Sequence, residues 1–319
     1  MTGRDWRPTA SSSVLRQRAR LVERMREFFA ARGVLEVDPP LLQPGANLDH
    51  GVAPFRIDGP GGPYFLPTSP EHPLKRLVAA GSGAVWALAP AFRAGEVGRW
   101  HSPEFRMLEW YRPGWDDRQL IDEVIALLAA LTGWPEADSE IVSWREIFKR
   151  QLGLDPFAAS DDRLLAALGS DAGVAQRDGA VDRALALDVL LVRDIERGLG
   201  RGRWTVVTDY PASACAQARL RTDRHGTAVA ARFEIYRDGV ELANGYHELT
   251  DGAELAVRLE RERQSRPDAD RLVLDGAFLA AMAAGLPDCA GVAVGFDRVV
   301  ALALGCDGIA AVQPFGHRR

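Results

Sequence analysis

The stretch Ala91–Arg112, AFRAGEVGRWHSPEFRMLEWYR, decides how the rest of the chain is read. It opens with Arg93 at the end of an apolar run, Ala84–Phe92. It then crosses a polar, Gly-containing loop, Ala94–Pro103, and closes in a run of strand formers, Glu104–Arg112. The pattern predicts strand, loop, strand, with basic residues and a histidine on the loop. Side chains alternate faces along a strand, so Phe105, Met107, Glu109 and Tyr111 share one face, and Arg106, Leu108 and Trp110 the other. The first set suits a pocket floor: an aromatic ring to stack on, with a carboxylate and a phenol to hold a polar group. The loop offers Arg93, Arg99 and His101 to phosphates. Taken alone, the stretch fits equally well a hairpin whose charged tip is merely solvated.

Composition bounds what can surround it. The 319 residues have ordinary apolar and charged fractions, which suits one large globular domain or one domain with an insertion. A formal net charge of −5 argues against a large nucleic-acid footprint. Of 39 basic residues only Lys75 and Lys149 are lysines, a bias that reads as genome base composition. Cys215, Cys289 and Cys306 form no CxxC pair and are expected to be reduced thiols of a cytoplasmic protein. No segment has a signal-peptide layout and no apolar run is long enough to span a bilayer, so no membrane partner is expected.

On the N-terminal side, residues 1–13 read as an arm, loose over Met1–Ala10. Ser11–Ser13 offer an N-cap to a helix over Val14–Arg32 that ends at Gly33. Leu21, Met25 and Phe28 recur at helical spacing and are expected in the core. Arg16, Arg20 and Arg24 fall on one stripe, either a solvated face or a basic partner surface. A short strand, Tyr64–Pro67, runs into Thr68-Ser69-Pro70-Glu71. Ser69 is a helix cap, Pro70 suits the first helical position, and Glu71 falls in the first turn, where the helix dipole favours a carboxylate. On the residues alone, Glu71 is either a helix stabiliser or a binding group.

On the C-terminal side, Asp116 or Asp117 caps a helix over Gln119–Leu131 with an apolar stripe of Ile121, Val124, Ile125 and Leu128. Trp134–Gly202 carries two or three helices, Val181–Arg197 among them, and no motif with a chemical reading. It is expected to be a helical insertion in a catalytic domain spanning 14–319. Trp204–Tyr210 is a strand. Within Ala231–Leu249, ARFEIYRDGVELANGYHEL, Asp238-Gly239 is a two-residue hairpin signal. A tight turn places Tyr236 opposite Glu241 and Glu234 opposite Ala243, with Glu234 and Glu241 diagonal neighbours roughly 7–8 Å apart at the backbone. Two such carboxylates repel each other unless a cation joins them, and Mg²⁺ bridging to phosphate oxygens suits them. Otherwise they are a pair of exposed strand residues. Asn244-Gly245 is expected to break the strand and turn Glu248 to the side of Glu241; His247 receives no ligand role. Asp251–Glu254 resembles a capping box that opens a charged helix to about Ser265. In Gly291–Gly305, GVAVGFDRVVALALG, a Gly-rich strand enters a helix with Arg298 in its first turn. Backbone N–H groups and the guanidinium both favour phosphate there.

Four motifs now stand together: FR-x-x-E-x-x-R-x-H-x-PEF-x-M-x-E-x-Y in the central stretch, TSPE at 68–71, ELANGYHE at 241–248, and G-x-x-x-G-x-x-R at 291–298. Over about Ser11–Gly305 the chain resembles the class II aminoacyl-tRNA synthetases of the lysyl type, with motif 2 in the central stretch and motif 3 at Arg298. MLEWYRP and the overall length resemble the short branch of that family, which acts on a lysine of translation elongation factor P. Val34–Leu42, VLEVDPPLL, resembles motif 1, which builds a dimer around its proline, here Pro39 or Pro40; a homodimer is implied. The implied fold is α+β, a mostly antiparallel sheet flanked by helices.

The resemblance implies that an amino-acid carboxylate attacks the α-phosphorus of a bent ATP, giving an aminoacyl adenylate and pyrophosphate. Such chemistry needs charge stabilisation and alignment more than a side-chain nucleophile. The implied catalytic residues are Arg93 and Arg298. Glu96, Arg99, His101, Ser102, Phe105, Glu241, Leu242 and Gly295 complete the ATP site, and Glu234 and Glu241 hold Mg²⁺. The implied substrate pocket is Ser69, Pro70, Glu71, Glu109, Tyr111, Asn244, Glu248 and Ala293. Three carboxylates suit two ammonium groups, meaning lysine or an isomer, and Ala293, where lysyl synthetases carry glycine, points to β-lysine. The short arm leaves no room for an anticodon-binding domain, so elongation factor P rather than tRNA is the implied acceptor. A carrier protein or small amine as acceptor, and a catalytically silent ATP- or amino-acid-sensing paralogue, are the alternatives. Four positions depart from the family pattern. Gly95 replaces the glutamate that reads adenine, so either Glu96 substitutes after a loop shift or nucleotide selectivity is relaxed. Ser102 replaces an asparagine, and His72-Pro73 replaces an aromatic-containing pair.

Overall fold

The computed structural model describes residues 6–49, 51–177 and 180–317; the first five residues of the expected arm lie outside them. In chain order the elements begin with α1 (Ser12–Ala30), β1 (Leu35–Glu36), β2 (Phe55–Gly59), β3 (Gly62–Leu66) and α2 (Glu71–Ala79). The central stretch follows as β4 (Val85–Phe92) and β5 (Glu104–Pro113), then α3 (Asp117–Thr132). Next come β6 (Ser139–Ser143), α4 (Trp144–Leu152), α5 (Asp161–Leu168), β7 (Gln176–Arg177), β8 (Ala180–Val181) and α6 (Arg183–Leu190). The strands β9 (Trp204–Pro211), β10 (Leu220–Thr222), β11 (Ala228–Arg237) and β12 (Val240–His247) precede α7 (Gly252–Gln264) and α8 (Gly276–Gly285). The chain closes with β13 (Cys289–Gly295) and α9 (Phe296–Ala303). The fold is α+β, and the strand–loop–strand reading of the central stretch holds to within a residue.

Two compact units are present, Met1–Pro135 with Glu248–Arg319, and Glu136–His247. In the first, the strand order is β1-β4-β5-β13. β1 runs parallel to β4, and the other pairs are antiparallel. The alternation expected along β5 is present. Trp110 points to the side of α1 and α3, where its Nε1 donates to Glu123 (3.0 Å) and its ring meets Phe29, which stacks on Trp86 at 4.8 Å. Each fully buried aromatic of this kind contributes about 2–3 kcal/mol. Tyr111 lies on the opposite side, in a core with Leu74 and Val78 of α2 and Phe278 of α8. The α1 cap is Ser11, whose hydroxyl accepts from Val14 N–H, and Leu21, Met25 and Phe28 are buried. Asp251 caps α7 through Ala253 and Glu254 N–H groups, while the Glu254 carboxylate bonds to Arg258.

In the second unit the order is β12-β11-β9-β6, with β10 on the edge of β11. Its core is built on Trp144, Phe148, Leu190 and Tyr210. The helix expected over Val181–Arg197 starts at Arg183 under an Asp182 cap and continues through a π turn at Leu191–Ile195. The compact unit therefore extends past the helical segment to include the hairpin of β11 and β12. At the hairpin tip, Asp238 and Gly239 have φ of 50° and 74°, as a two-residue turn of this hand requires. Tyr236 pairs with Glu241 as expected, but Glu234 pairs with Asn244 and not Ala243. The register shifts between Ile235 and Tyr236, leaving Leu242 as the extra residue of a bulge. No break occurs at Asn244-Gly245, since β12 runs on to His247. One added residue reverses the alternation, so Asn244 and Tyr246 follow the phase of Glu241.

Candidate active site

Ser69 begins the site in the first unit. Its hydroxyl accepts from Glu71 N–H (3.0 Å), capping α2 from one residue before Pro70, and donates to Glu109 Oε2 (2.8 Å). Tyr111 Oη donates to Glu109 Oε1 (2.7 Å). Burial, reinforced by the charge of Glu71, pushes the Glu109 carboxyl up to about 8. Burial and the Glu109 charge hold the Tyr111 phenol well above its ordinary range. Glu71 and Glu248 share one buried ammonium. Lys75 Nζ lies 2.5 Å from Glu71 Oε1 and 2.7 Å from Glu248 Oε2. Burial alone would lower the Lys75 pKa, but Glu248 and Glu71 outweigh it and hold the ammonium charged.

Across the ladder from β5, small residues leave room over these groups. Gly291 pairs with Tyr111, Ala293 with Glu109, and Gly295 with Met107. A Cβ at Gly291 would lie 2.2 Å from Tyr111 Cε1 and 2.5 Å from Glu248 Oε1. Only glycine at 291 lets both side chains take these positions. Ala293 therefore places a methyl next to the carboxylate that the pocket presents.

The loop after β4 supplies the basic groups. Arg93 Nε donates to the Thr68 carbonyl (3.4 Å), its Nη1 lies 3.8 Å from Glu96 Oε1, and its guanidinium lies 5.2 Å from the centre of the Phe105 ring. Gly95 has φ of 82°, a conformation strained for any other residue, so the loop turns there and Glu96 is the carboxylate beside Arg93. The Ser102 hydroxyl is buried with no hydrogen-bond partner among the described residues. Arg298 enters from α9, three residues after the N-cap Gly295 and in the first turn of the helix. It donates from Nε to the Trp100 carbonyl (3.1 Å) and lies 3.0 Å from His101 Nε2. Burial and the Arg298 charge keep the His101 pKa low, which favours the neutral ring. Arg99 turns away from this group. Its guanidinium pairs with Asp307 (2.6 Å), and its carbonyl accepts from Ile309 N–H (3.0 Å).

A buried carboxylate pocket thus shares one unit with two arginines, Arg93 and Arg298, presented by a loop and a helix start. Residues 3–319 match the family described as tRNA synthetases class II (D, K and N). The chain belongs to that family. It is also similar to the proteins named Elongation factor P–(R)-β-lysine ligase from Salmonella dublin, Salmonella paratyphi B and Salmonella heidelberg. Each is 41% identical over 318 residues, 97% of both chains.

In this member of the family, the second unit holds the remaining residues that the sequence singles out. Glu234 is buried and has three hydrogen-bonding partners. Oε2 accepts from the Tyr210 (2.6 Å) and Tyr236 (2.5 Å) hydroxyls, and Oε1 pairs with Arg232 (2.6 Å). Arg232 also lies over the Tyr210 ring and donates to Asn244 Oδ1 (3.2 Å), while Asn244 Nδ2 donates to Tyr246 (3.1 Å). The Glu234 carboxylate and the Asn244 amide are thus both engaged within their own unit. Glu241 is half-buried, and Leu242 is the bulge residue. Among the described residues no group of three or more His, Cys, Asp or Glu side chains is arranged to hold a metal ion. Sequence reasoning missed Lys75, Gly291 and Arg232. Lys75 had a legible signal: a rare lysine four residues after Glu71, the spacing of a helical ion pair.

Proposed function

We propose that this chain activates lysine or β-lysine with ATP and transfers the aminoacyl group to a lysine of translation elongation factor P. The observation that carries the amino-acid part is the buried set Glu71, Glu109, Glu248 and Tyr111, an acceptor-rich pocket suited to two ammonium groups. β-Lysine and the protein acceptor come from the relatives' name and the methyl of Ala293.

In this reading Glu71 and Glu248 receive one ammonium, and Glu109 with Tyr111 receives the other. Arg93, beside the Thr68 carbonyl, neutralises the α-phosphate as the amino-acid carboxylate attacks phosphorus and the bond to pyrophosphate breaks. Arg298 covers the adenine, and with neutral His101 beside it binds the outer phosphates; Phe105 takes the other face of the base and Ser102 lies against the nucleotide. Charge stabilisation of this kind is the main source of rate in such transfers. Magnesium, when bound, supplies further charge neutralisation on phosphate oxygens. Of the two glutamates expected for it, Glu241 stays the candidate carboxylate, since Mg²⁺ commonly takes one or two carboxylates and keeps its waters.

A homodimer is part of the proposal. α1 and the Pro39–Pro40 segment after β1 are expected to pair, and Leu35, Leu41 and Leu42 are 55, 37 and 54% exposed. Arg16, Arg20 and Arg24 are exposed on α1 and offer a basic surface to the acceptor. The acceptor places the reaction in the cytoplasm, and a net charge of −5 disfavours tRNA.

The deciding experiment is amino-acid-dependent ATP–pyrophosphate exchange with lysine isomers, followed by transfer to purified elongation factor P read by mass spectrometry. Exchange with β-lysine and one added unit on one lysine are expected. Exchange without transfer removes the acceptor assignment, and efficient charging of tRNA removes it in favour of a synthetase. Light scattering at micromolar concentration is expected to report a dimer.

A further inference from the structure

Lys75 takes no part in the steps above, yet its side chain is 1% exposed between two carboxylates and 5.8 Å from the centre of the Tyr111 ring. An ammonium in that position has two consequences. The first is geometric. Its tetrahedral donors fix the Glu71 and Glu248 carboxylates on either side of a point charge, which a longer, planar guanidinium does not reproduce. In a chain where only two of 39 basic residues are lysines, arginine is the default cation and does not stand here. The second is charge. Glu71, Glu109 and Glu248 carry three negative charges when all are ionised, and Lys75 cancels one. The remainder matches the two ammonium groups of a diamino acid. An amino acid with a single ammonium group, such as norleucine, leaves one buried carboxylate charge unmatched, and that is costly.

We propose that Lys75 is a positioning residue that sets specificity in the amino-acid pocket: it holds Glu71 and Glu248 apart for the substrate and tunes the pocket's charge to a dication. This rests on reading the pocket as a diamino-acid site, and adds that the pocket's own cation decides which amino acids fit.

The test uses the full-length protein, with ATP–pyrophosphate exchange on β-lysine, α-lysine and norleucine. KM is measured separately for amino acid and ATP, and melting temperature is recorded for K75R and K75M. K75R keeps the charge and loses the geometry; its amino-acid KM is expected to rise about 10-fold with ATP KM unchanged. K75M loses both, and a rise of about 100-fold is expected, the scale of removing one partner of a buried ion pair. The diamino-acid preference over norleucine is expected to shrink in K75M. A purely structural lysine would lower the melting temperature and leave the amino-acid KM of both variants at the wild-type value, and that result overturns the proposal. Should K75M fail to fold, K75R decides alone by the same criterion. Wild-type protein with no exchange on any diamino acid would overturn the pocket reading and this inference together; unchanged KM values in the variants overturn only this one.

Discussion

Glu109 in the first unit and Glu234 in the second are both buried glutamates that accept hydrogen bonds from tyrosine hydroxyls. They differ in what else is present. Glu234 has two phenols and its own arginine, so its charge is balanced within the fold. Glu109 has one phenol and one serine hydroxyl, no basic side chain bonded to it, and a carboxyl pushed up to about 8 by burial and Glu71. The first arrangement is finished; the second gains when a cation arrives. Spacing along a strand says nothing about this difference, because it depends on which acceptor positions are already filled.

The largest expected effect comes from Glu109→Gln. Removing one partner of a buried ammonium–carboxylate pair costs about 3–5 kcal/mol, so kcat/KM for the amino acid should fall by roughly 10²–10⁴-fold. ATP KM should stay unchanged. An equal loss for ATP would place Glu109 outside the amino-acid pocket.

Glu234→Gln should act on stability and not on amino-acid selection. It leaves Arg232 and two phenols without their carboxylate, at a cost of about 2–4 kcal/mol in urea unfolding. A variant that melts like the wild type but loses exchange would return Glu234 to the nucleotide site.

The pH dependence should separate the two carboxylates further. Substrate ammonium needs ionised Glu109, so kcat/KM for the amino acid should rise up to tenfold per unit toward pH 8 and level off above it. The stability contribution has the opposite sign. The folded pKa of about 8 is raised from the ordinary 4.5, so protonated Glu109 stabilises the fold fully below about 4.5. That contribution is lost as pH rises through 8. Glu109→Gln should abolish the activity limb, whereas Glu234→Gln should keep it.

The smallest effect is expected at Ala293, opposite Glu109. Ala293→Gly removes one methyl, worth about 1–3 kcal/mol of discrimination in a tight pocket. The ratio of exchange rates with β-lysine and α-lysine should shift toward α-lysine by about tenfold. An unchanged ratio would move the selectivity to other residues of the pocket.

The sequence by itself determined the strands of the central stretch, the α1 cap, the hairpin turn at Asp238-Gly239, and the arrival of Arg298 at a helix start; at α2 Pro70 is the N-cap, one position earlier than its expected place in the first helical turn. Each rests on local rules: alternation, turn chemistry and capping act over a few residues, and the letters carry them. The alternation along β5 also put Glu109 and Tyr111 on one face, while the family resemblance, not spacing, joined Glu71 to them. Only the tertiary structure decided the rest. The Leu242 bulge reversed the alternation of β12, and a bulge is set by pairing with β11, not by the residues of β12 alone. Gly291 matters because Tyr111 and Glu248 occupy the space that its side chain would fill. Arg99 turned to Asp307, more than 200 residues later in the chain. Glu234 was closed off by Tyr210 and Arg232, and Glu71 and Glu248 were joined by Lys75. A charge's role depends on its neighbours within a few ångströms, because buried charges must be paired, and those neighbours come from distant parts of the chain.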